Sequence, residues 1–512
     1  MSVPGRQTPG WLFPAGLYGG ALLLLLHAAG VLGITAVEPA PMASAEEFAR
    51  RLTAPGSLPG RLTGGPPLLT AGLAGLGRHL AGPSLTALRA GGVALAAAIP
   101  VLVYFITLPR SGRWLALAAG LLALLVPRAL LEGATLGGDG TLTALLWAGF
   151  WAHLSSRGRP DRAFLAGVLL AGALSVAWGA LLALPTLVLH HVWTAPGAIP
   201  SLRHGRLPLP LSAALFLLLA PLVFWLLTPA LWTFSSTALR DILVAAASPE
   251  ILPGEWAGDE VTPDRIPRFH TLGTLLTALP SWTTLLAVAG LVRLRADGLR
   301  RCPELALAVA ALLVFGGWPL LCPPGLGRFP GHFLVLIPAA ALLASRGVAW
   351  LLQGPLTHLP WPPPRRALLL ASVMLGGPLL ACTIGAPSLS ADFSWITGGP
   401  WRPARWGPEP LHDGSPLGAL LLTLDALGSS PARVYAPEIP PSTWRLLQAY
   451  GRLHRTIQPV SRLDQADFAV LSGGRPAAAG FTRIASLHRD GQEVLGLWYH
   501  GTLSAQGNTQ LP

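Results

Sequence analysis

Residues 84–131 read SLTALRAGGVALAAAIPVLVYFITLPRSGRWLALAAGLLALLVPRALL. Two apolar runs flank a short turn that holds Pro109, Arg110, Gly112 and Arg113 and no acid. A helix needs about 20 apolar residues to cross about 30 Å of hydrocarbon, and arginine in a connecting loop marks the cytoplasmic side. The stretch is therefore read as two membrane helices joined on the inside. The same pattern extends in both directions. Eleven apolar stretches lie near residues 12–34, 84–108, 114–131, 140–154, 163–178, 180–193, 210–232, 271–292, 305–321, 329–352 and 367–385. They are continuous runs of Leu and Ala, unlike the alternating segments of a strand barrel, so helices satisfy the backbone inside lipid.

A mean hydropathy of +0.54, with 52% hydrophobic and 11% charged residues over 512 positions, excludes an ordinary soluble globule. The 35 basic residues are all arginine. With the N-terminus cytoplasmic and every stretch crossing, the inner segments carry Arg6, Arg110, Arg113, Arg157, Arg159, Arg162, Arg203, Arg206, Arg293, Arg295, Arg300, Arg301, Arg365 and Arg366. Only Asp161, Asp297 and Glu304 oppose them, so these loops hold nearly all of the net charge of +12. The basicity thus reflects membrane orientation, and no nucleic-acid partner is expected. Arginine, alanine, glycine and proline richness without lysine fits a GC-rich bacterial genome, hence a bacterial inner membrane. Residues 1–45 imitate a secretory signal ending in Ala43-Ser44-Ala45. The long apolar run and the further crossings make the segment a first membrane helix instead.

Between the crossings, the outer loops are 35–83 and 233–270. In the first, Ala45–Leu52 reads as a short amphipathic helix and Leu68–Leu80 as an apolar stretch too short to cross. Both are expected to lie along the membrane interface. Residues 163–193 are too long for one crossing and short for two. Two thin crossings, with breaks permitted at Gly179 and Pro185, keep Arg203 and Arg206 inside. From about 386 the apolar runs shorten. Leu417–Leu427 and Ser442–Tyr450 read as helices, and Arg433–Ala436, Asp467–Leu471, Phe481–His488 and Val494–Tyr499 as strands. Asp490-Gly491 joins the last two as a hairpin signal. The expected fold is an all-α polytopic membrane bundle of about eleven helices over 1–385, followed by a small periplasmic α/β domain over 386–512. Cys302, Cys322 and Cys382 are too scattered for a metal site or a disulfide framework, although Cys322 and Cys382 fall near the same face.

In order and spacing, several stretches resemble the C-type glycosyltransferase superfamily, and within it the family 39 group of protein O-mannosyltransferase-like and aminoarabinose-transferase-like proteins. GPPLLTAGLAGLGRHLAGPSLTALR (65–89) is similar to that group's Pro-Pro-Leu segment, re-entrant helix, Gly-x-Ser turn and arginine opening the next crossing. GGDGTLTALLWAGFWAHL (137–154) resembles the place where an aspartate starts a crossing at the outer face. SVAWGALLALP (175–185), APLVFWLLTPALW (220–232) and GLGRFPGHFLVLIPAAALLASRGVAWL (325–351) resemble the thin helix pair and later crossings. FSWITGGPW (393–401) and ADFAVLSGG (466–474) resemble a bacterial subgroup with an outer α/β tail. The resemblance implies transfer of a sugar from a polyprenyl-phosphate carrier to a glycan, lipid or protein acceptor at the periplasmic face, with inversion. Membrane lipid is the other expected partner.

The same resemblance implies a catalytic aspartate just after the first crossing, yet residues 35–83 contain none. Glu38 is the nearest acid, ahead of Glu46 and Glu47, and is taken as the base; its plain alternative is a charge marking a helix end. Asp139 is taken as a second carboxylate, or as the N-cap of its helix. Arg128, Arg265, Arg268, His270 and Arg328 are the expected phosphate-side groups, each with the alternative of an interfacial anchor. Trp178-Gly179 stands where the group often carries lysine. No cofactor is implied, and a divalent metal has no motif to hold it. Two other readings stand beside this one, the first of them from the missing aspartate and lysine. One is a catalytically inactive relative serving as a scaffold or carrier-binding subunit. The other is a transporter, which the placement of acids in loops disfavours.

Overall fold

The computed structural model describes residues 11–31, 68–82, 84–136, 138–196, 209–228, 278–321, 332–358, 431–437, 456–472, 480–489 and 492–500, two short strands between 254 and 261, and a few isolated positions. Glu38, Arg265, Arg268, His270, Arg328, Cys322, Cys382, the stretch 367–385 and the Ala45–Leu52 helix lie outside the described residues. The chain divides into two compact units, one of Met1–Gly30 and Ala40–Pro408, the other of Val31–Pro39 and Glu409–Pro512.

The first unit is helical. Its helices are α1 (Leu12–Val31), α2 (Leu68–Ala81), α3 (Leu85–Ala96), α4 (Ala98–Leu124), α5 (Pro127–Ala134), α6 (Asp139–Leu154) and α7 (Pro160–Val176). After a 3-10 turn at Trp178–Leu182 come α8 (Ala183–Thr194), α9 (Leu211–Leu227), α10 (Ser281–Asp297), α11 (Pro303–Leu321) and α12 (His332–Gln353). Among the described residues, Leu12–Ala29, Leu85–Leu124 and Leu334–Gln353 are long and apolar enough to cross a membrane. The other described stretches form helices of 12 to 19 residues.

Side-chain contacts fix the direction of each helix. α4 reverses at Gly112, whose φ of 75° is open to glycine and costly for other residues. Its second arm returns beside the first, so that a Cβ on Gly120 would lie 2.8 Å from the Pro100 carbonyl. That is the hairpin read from Pro109–Arg113. α6 and α7 run antiparallel, because Gly138 before α6 meets Val176 at the end of α7. α8 comes back, since His190 lies 3.0 Å from His153 near the end of α6. The segment 163–193 therefore folds as two short passes, which places the start of α9 beside the end of α6: Ser212 bonds His153 at 2.6 Å. The break falls at Ala177, extended at φ −155° and ψ 142°, two residues before the expected Gly179. Pro185 sits in the first turn of α8, where its missing N–H forfeits no helical bond.

α2 forms over the apolar stretch Leu68–Leu80 and packs on α3. A Cβ on Gly77 would lie 2.1 Å from the Ala87 carbonyl, and one on Gly91 2.6 Å from that of Leu73. α2 thus runs antiparallel against α3 with the backbones touching, as a re-entrant hairpin. Ser84 caps α3, its Oγ accepting the Ala87 N–H at 3.1 Å. The two glycines allow this close helix-on-helix contact.

The bundle is closed by polar pairs at the end where the arginine-bearing turns gather. Arg110 pairs with Glu304. Asp297 accepts from Arg346, with Nε at 3.1 Å, and forms an ion pair with Arg293 at 3.4 Å. In the middle, the Trp147 indole donates to the Val335 carbonyl at 2.9 Å, tying α6 to α12 inside the core.

Two short strands, β1 (Gly254–Trp256) and β2 (Asp259–Val261), form a hairpin within the loop 233–270. The second unit carries β3 (Ala432–Tyr435), β4 (Ile457–Val460), β5 (Phe468–Ser472), β6 (Phe481–Arg489) and β7 (Gln492–His500) in the order β4-β3-β5-β7-β6. β3 is parallel to β4 and β5, and β7 is antiparallel to β5 and β6. Arg489 pairs with Gln492 around the expected Asp490-Gly491 turn. Val434, Ala469 and Leu497 are fully buried in this sheet. At its margin Arg433 bonds Asp467 at 2.8 Å, and that guanidinium holds the Asp467 carboxyl below the ordinary aspartate range.

Candidate functional site

α6 is short, and its first turn lies well along α3 from the start of that helix. A Cβ on Gly140 would lie 3.0 Å from the Ala96 Cβ and 3.2 Å from the Gly133 Cα. The first turn of α6 therefore lies beside Ala96, at the far end of α3 from Leu85. Eleven residues of helix separate those two levels, about 16 Å at 1.5 Å per residue. Asp139 starts α6 at that depth and is half-buried.

Three elements pack around the start of α6. Gly138 has φ 84° and packs so closely that a Cβ there would lie 3.3 Å from Val176 Cγ1 and 3.4 Å from Thr70 Cγ2. Thr70 belongs to the re-entrant α2, and Val176 immediately precedes the extended Ala177. α5 passes behind, with Gly133 against Leu25 of α1 and Ala96 of α3. Just after Ala177, Trp178 packs its ring on Phe224 of α9 at 5.1 Å.

The structure corrects one expectation about Asp139. It is the first helical residue, not the cap: Gly138 holds the capping place, without a side-chain bond. A carboxylate in the first turn is favoured by the helix dipole. Arg128 opens α5 as its second residue, and its side chain lies outside the described residues. Glu38, Arg265, Arg268, His270 and Arg328 do as well. Of the seven expected site residues, Asp139 is the one whose side chain is described. Among the described residues, no group of three or more His, Cys, Asp or Glu is placed to hold a metal ion.

Two features escaped the sequence reading. Arg89 is completely buried and donates Nη1–H to the Ala29 carbonyl in the last turn of α1, at 2.7 Å. Its sequence position near the start of an apolar run gave it only the role of a helix opener. The second is a chain of buried polar groups, Ser212, His153 and His190, at the other end of the bundle. His190 was visible as half of a His-His pair, but its link to His153 joins residues 37 apart and has no local signature.

No family model and no curated sequence matches the chain. Solved structures do. ArnT from Cupriavidus metallidurans in the apo state is similar at a TM-score of 0.52 with 16% identity, covering 95% of this chain and 98% of that one. ArnT bound to undecaprenyl phosphate is similar at 0.51 with 15% identity, over 96% and 98%. The likeness spans both units end to end. The chain shares the fold of these ArnT structures, a helical bundle with a small sheet-bearing tail.

Proposed function

We propose that the protein is a membrane glycosyltransferase that moves a sugar from a polyprenyl-phosphate carrier to an acceptor at the periplasmic face of a bacterial inner membrane, inverting the anomeric centre. The observation that supports this reading is the place of Asp139, at the start of α6 about 16 Å along α3 from Leu85 and beside α2 and the broken end of α7. A carrier with an isoprenoid tail stays in lipid while its polar acceptor arrives from water. A carboxylate set below the end of a bundle is within reach of both. In the solved ArnT complex the bound ligand is undecaprenyl phosphate, which makes a lipid-linked donor the first class to try.

In this reading Glu38 takes the proton of the acceptor hydroxyl as its oxygen attacks the anomeric carbon. The carbon–oxygen bond to phosphate breaks, and the polyprenyl phosphate leaves with the electron pair. Asp139 positions the acceptor or sugar. Arg128, Arg265, Arg268, His270 and Arg328 bear the leaving phosphate's charge. No metal step is invoked.

A second reading, a catalytically inactive scaffold or carrier-binding subunit, is favoured by one observation: residues 35–83 contain no aspartate. The test separates the two. Membranes containing the full-length protein are supplied with labelled polyprenyl-phosphate sugars and envelope fractions, and label is followed into water-soluble and lipid acceptors. Glu38→Gln should lower transfer at least 100-fold, the usual scale of general-base loss, and Asp139→Asn should lower it less. A protein that transfers no label from any donor, yet whose Glu38→Gln variant rescues a deletion strain as well as the parent, is the scaffold.

A further inference from the structure

At the end of the bundle opposite Asp139, two imidazoles are buried against each other. His153 stands in the last turn of α6 and His190 in the second half of α8, with ring centroids 5.0 Å apart and planes at 79°. His153 Nε2 is 3.0 Å from His190 Nδ1, and His153 Nδ1 is 2.6 Å from the hydroxyl of Ser212, near the start of α9. All three side chains are buried. His190 Nε2 is closed from solvent and faces the carbonyl of Pro303, where α11 begins. The two rings therefore stand where four helices meet.

The protons of this chain can be placed from its partners. A bond between two ring nitrogens needs one N–H and one lone pair. A lone pair on His190 Nε2 would oppose the Pro303 oxygen, so the proton sits there, and His190 Nδ1 accepts from His153 Nε2–H. His153 Nδ1 then accepts from the Ser212 hydroxyl. Both rings are neutral in this order, and every ring nitrogen is used. A further proton could lodge here only as a dry cation.

Among the described residues nothing balances such a charge. The charged and titratable groups that face the pair are Arg157, just past α6, and His191, next along α8. α9 brings the Ser212 hydroxyl. On the wall of the cavity beside the pair, α11 brings Glu304, already paired with Arg110 of α4. A buried cation among like charges is strongly disfavoured. Acid can therefore charge these rings only by parting them, and the cavity of about 500 Å³ alongside gives water a way in.

We propose that the Ser212–His153–His190 chain is an acid-released tie, which holds α6, α8 and α9 together while both rings are neutral and lets them part as protons are taken up. With the arginine-rich end in the cytoplasm, the signal it answers is internal acidification. The tie is remote from Asp139 and does not depend on the transferase reading.

Hydrogen exchange of the full-length protein in neutral detergent, read by mass spectrometry at pH 7.5 and 5.5 and corrected for the intrinsic rate, measures the opening. Free histidine titrates near 6.5. Each ring that is neutral when closed and free to charge when open therefore raises the opening constant about tenfold at pH 5.5. Peptides covering 148–157 and 186–196 should lose protection at least tenfold on acidification, and those around Gly290 in α10 should not. His190→Asn keeps an amide in the place of Nδ1 and cannot titrate, so its loss should be about tenfold smaller. His191→Asn leaves the chain intact and should keep the full loss. Equal protection at both pH values in the parent overturns the proposal, as does a loss that α10 shares or that His190→Asn leaves unchanged. The parent's own profile keeps the test decisive even if His190→Asn fails to fold.

Discussion

Arg89 is the one Arg, Asp or Glu among the described residues whose side chain is fully buried. Its bond to Ala29 satisfies one of the last four carbonyls of α1, and a cation there complements the dipole. Arg89→Leu should therefore cost about 2–3 kcal/mol, the range for losing a hydrogen bond to a charged group and leaving a dry acceptor. A lowered melting temperature in detergent checks it, and an unchanged one refutes the clamp. Sequence could not show this, because an arginine near the end of an apolar run reads equally as a snorkelling anchor. Only the docking of α1 against α3 turns it inward. Asp139 was legible for the opposite reason: an acid just before an apolar run marks a helix start whatever packs around it. The cap was misplaced by one residue because Gly138, at φ 84°, makes the turn alone.

At the level of elements, the apolar runs showed where helices lie, and glycine positions decided how closely they pack. A Cβ on Gly290 of α10 would lie 1.9 Å from the Leu343 carbonyl, and one on Gly347 of α12 2.1 Å from that of Leu286. Gly290→Ala or Gly347→Ala must push α10 and α12 apart, costing about 1–3 kcal/mol as other overpacked cores do. Gly16→Ala and Gly19→Ala on α1, where a Cβ would have nothing within 4 Å, should be neutral or slightly stabilising. Thermal unfolding of the four variants distinguishes the seam from the open face, and equal shifts would dismiss it. The partner of α2 was not legible for want of the same information, since periodicity reports a length and a face but not a partner. β4 was missed because Ile457-Gln458-Pro459-Val460 is short and holds a proline. It is tolerated because β4 is an edge strand, with one side free of the ladder.

For the whole molecule, arginine bias predicts orientation and helix ends supply a way to measure it. Ser156 follows α6 at the arginine-rich end, and Asp139 starts that helix at the other. A cysteine replacing Ser156, with the three natural cysteines removed, should react with a membrane-impermeant maleimide only after the membrane is opened. Labelling of intact spheroplasts at that position would invert the topology and move the proposed transfer to the cytoplasm. The broad architecture was legible because lipid permits so few solutions; the site was not, because its walls come from α2, α5, α6 and α7 and meet only in space. Finally, the α10–α12 seam bears on how such a bundle can open. Where main chain rests on main chain there are no rotamers to reshuffle, so this pair behaves as a single strut. Any lateral gate for a long-tailed molecule has to swing along the leucine-lined joints instead.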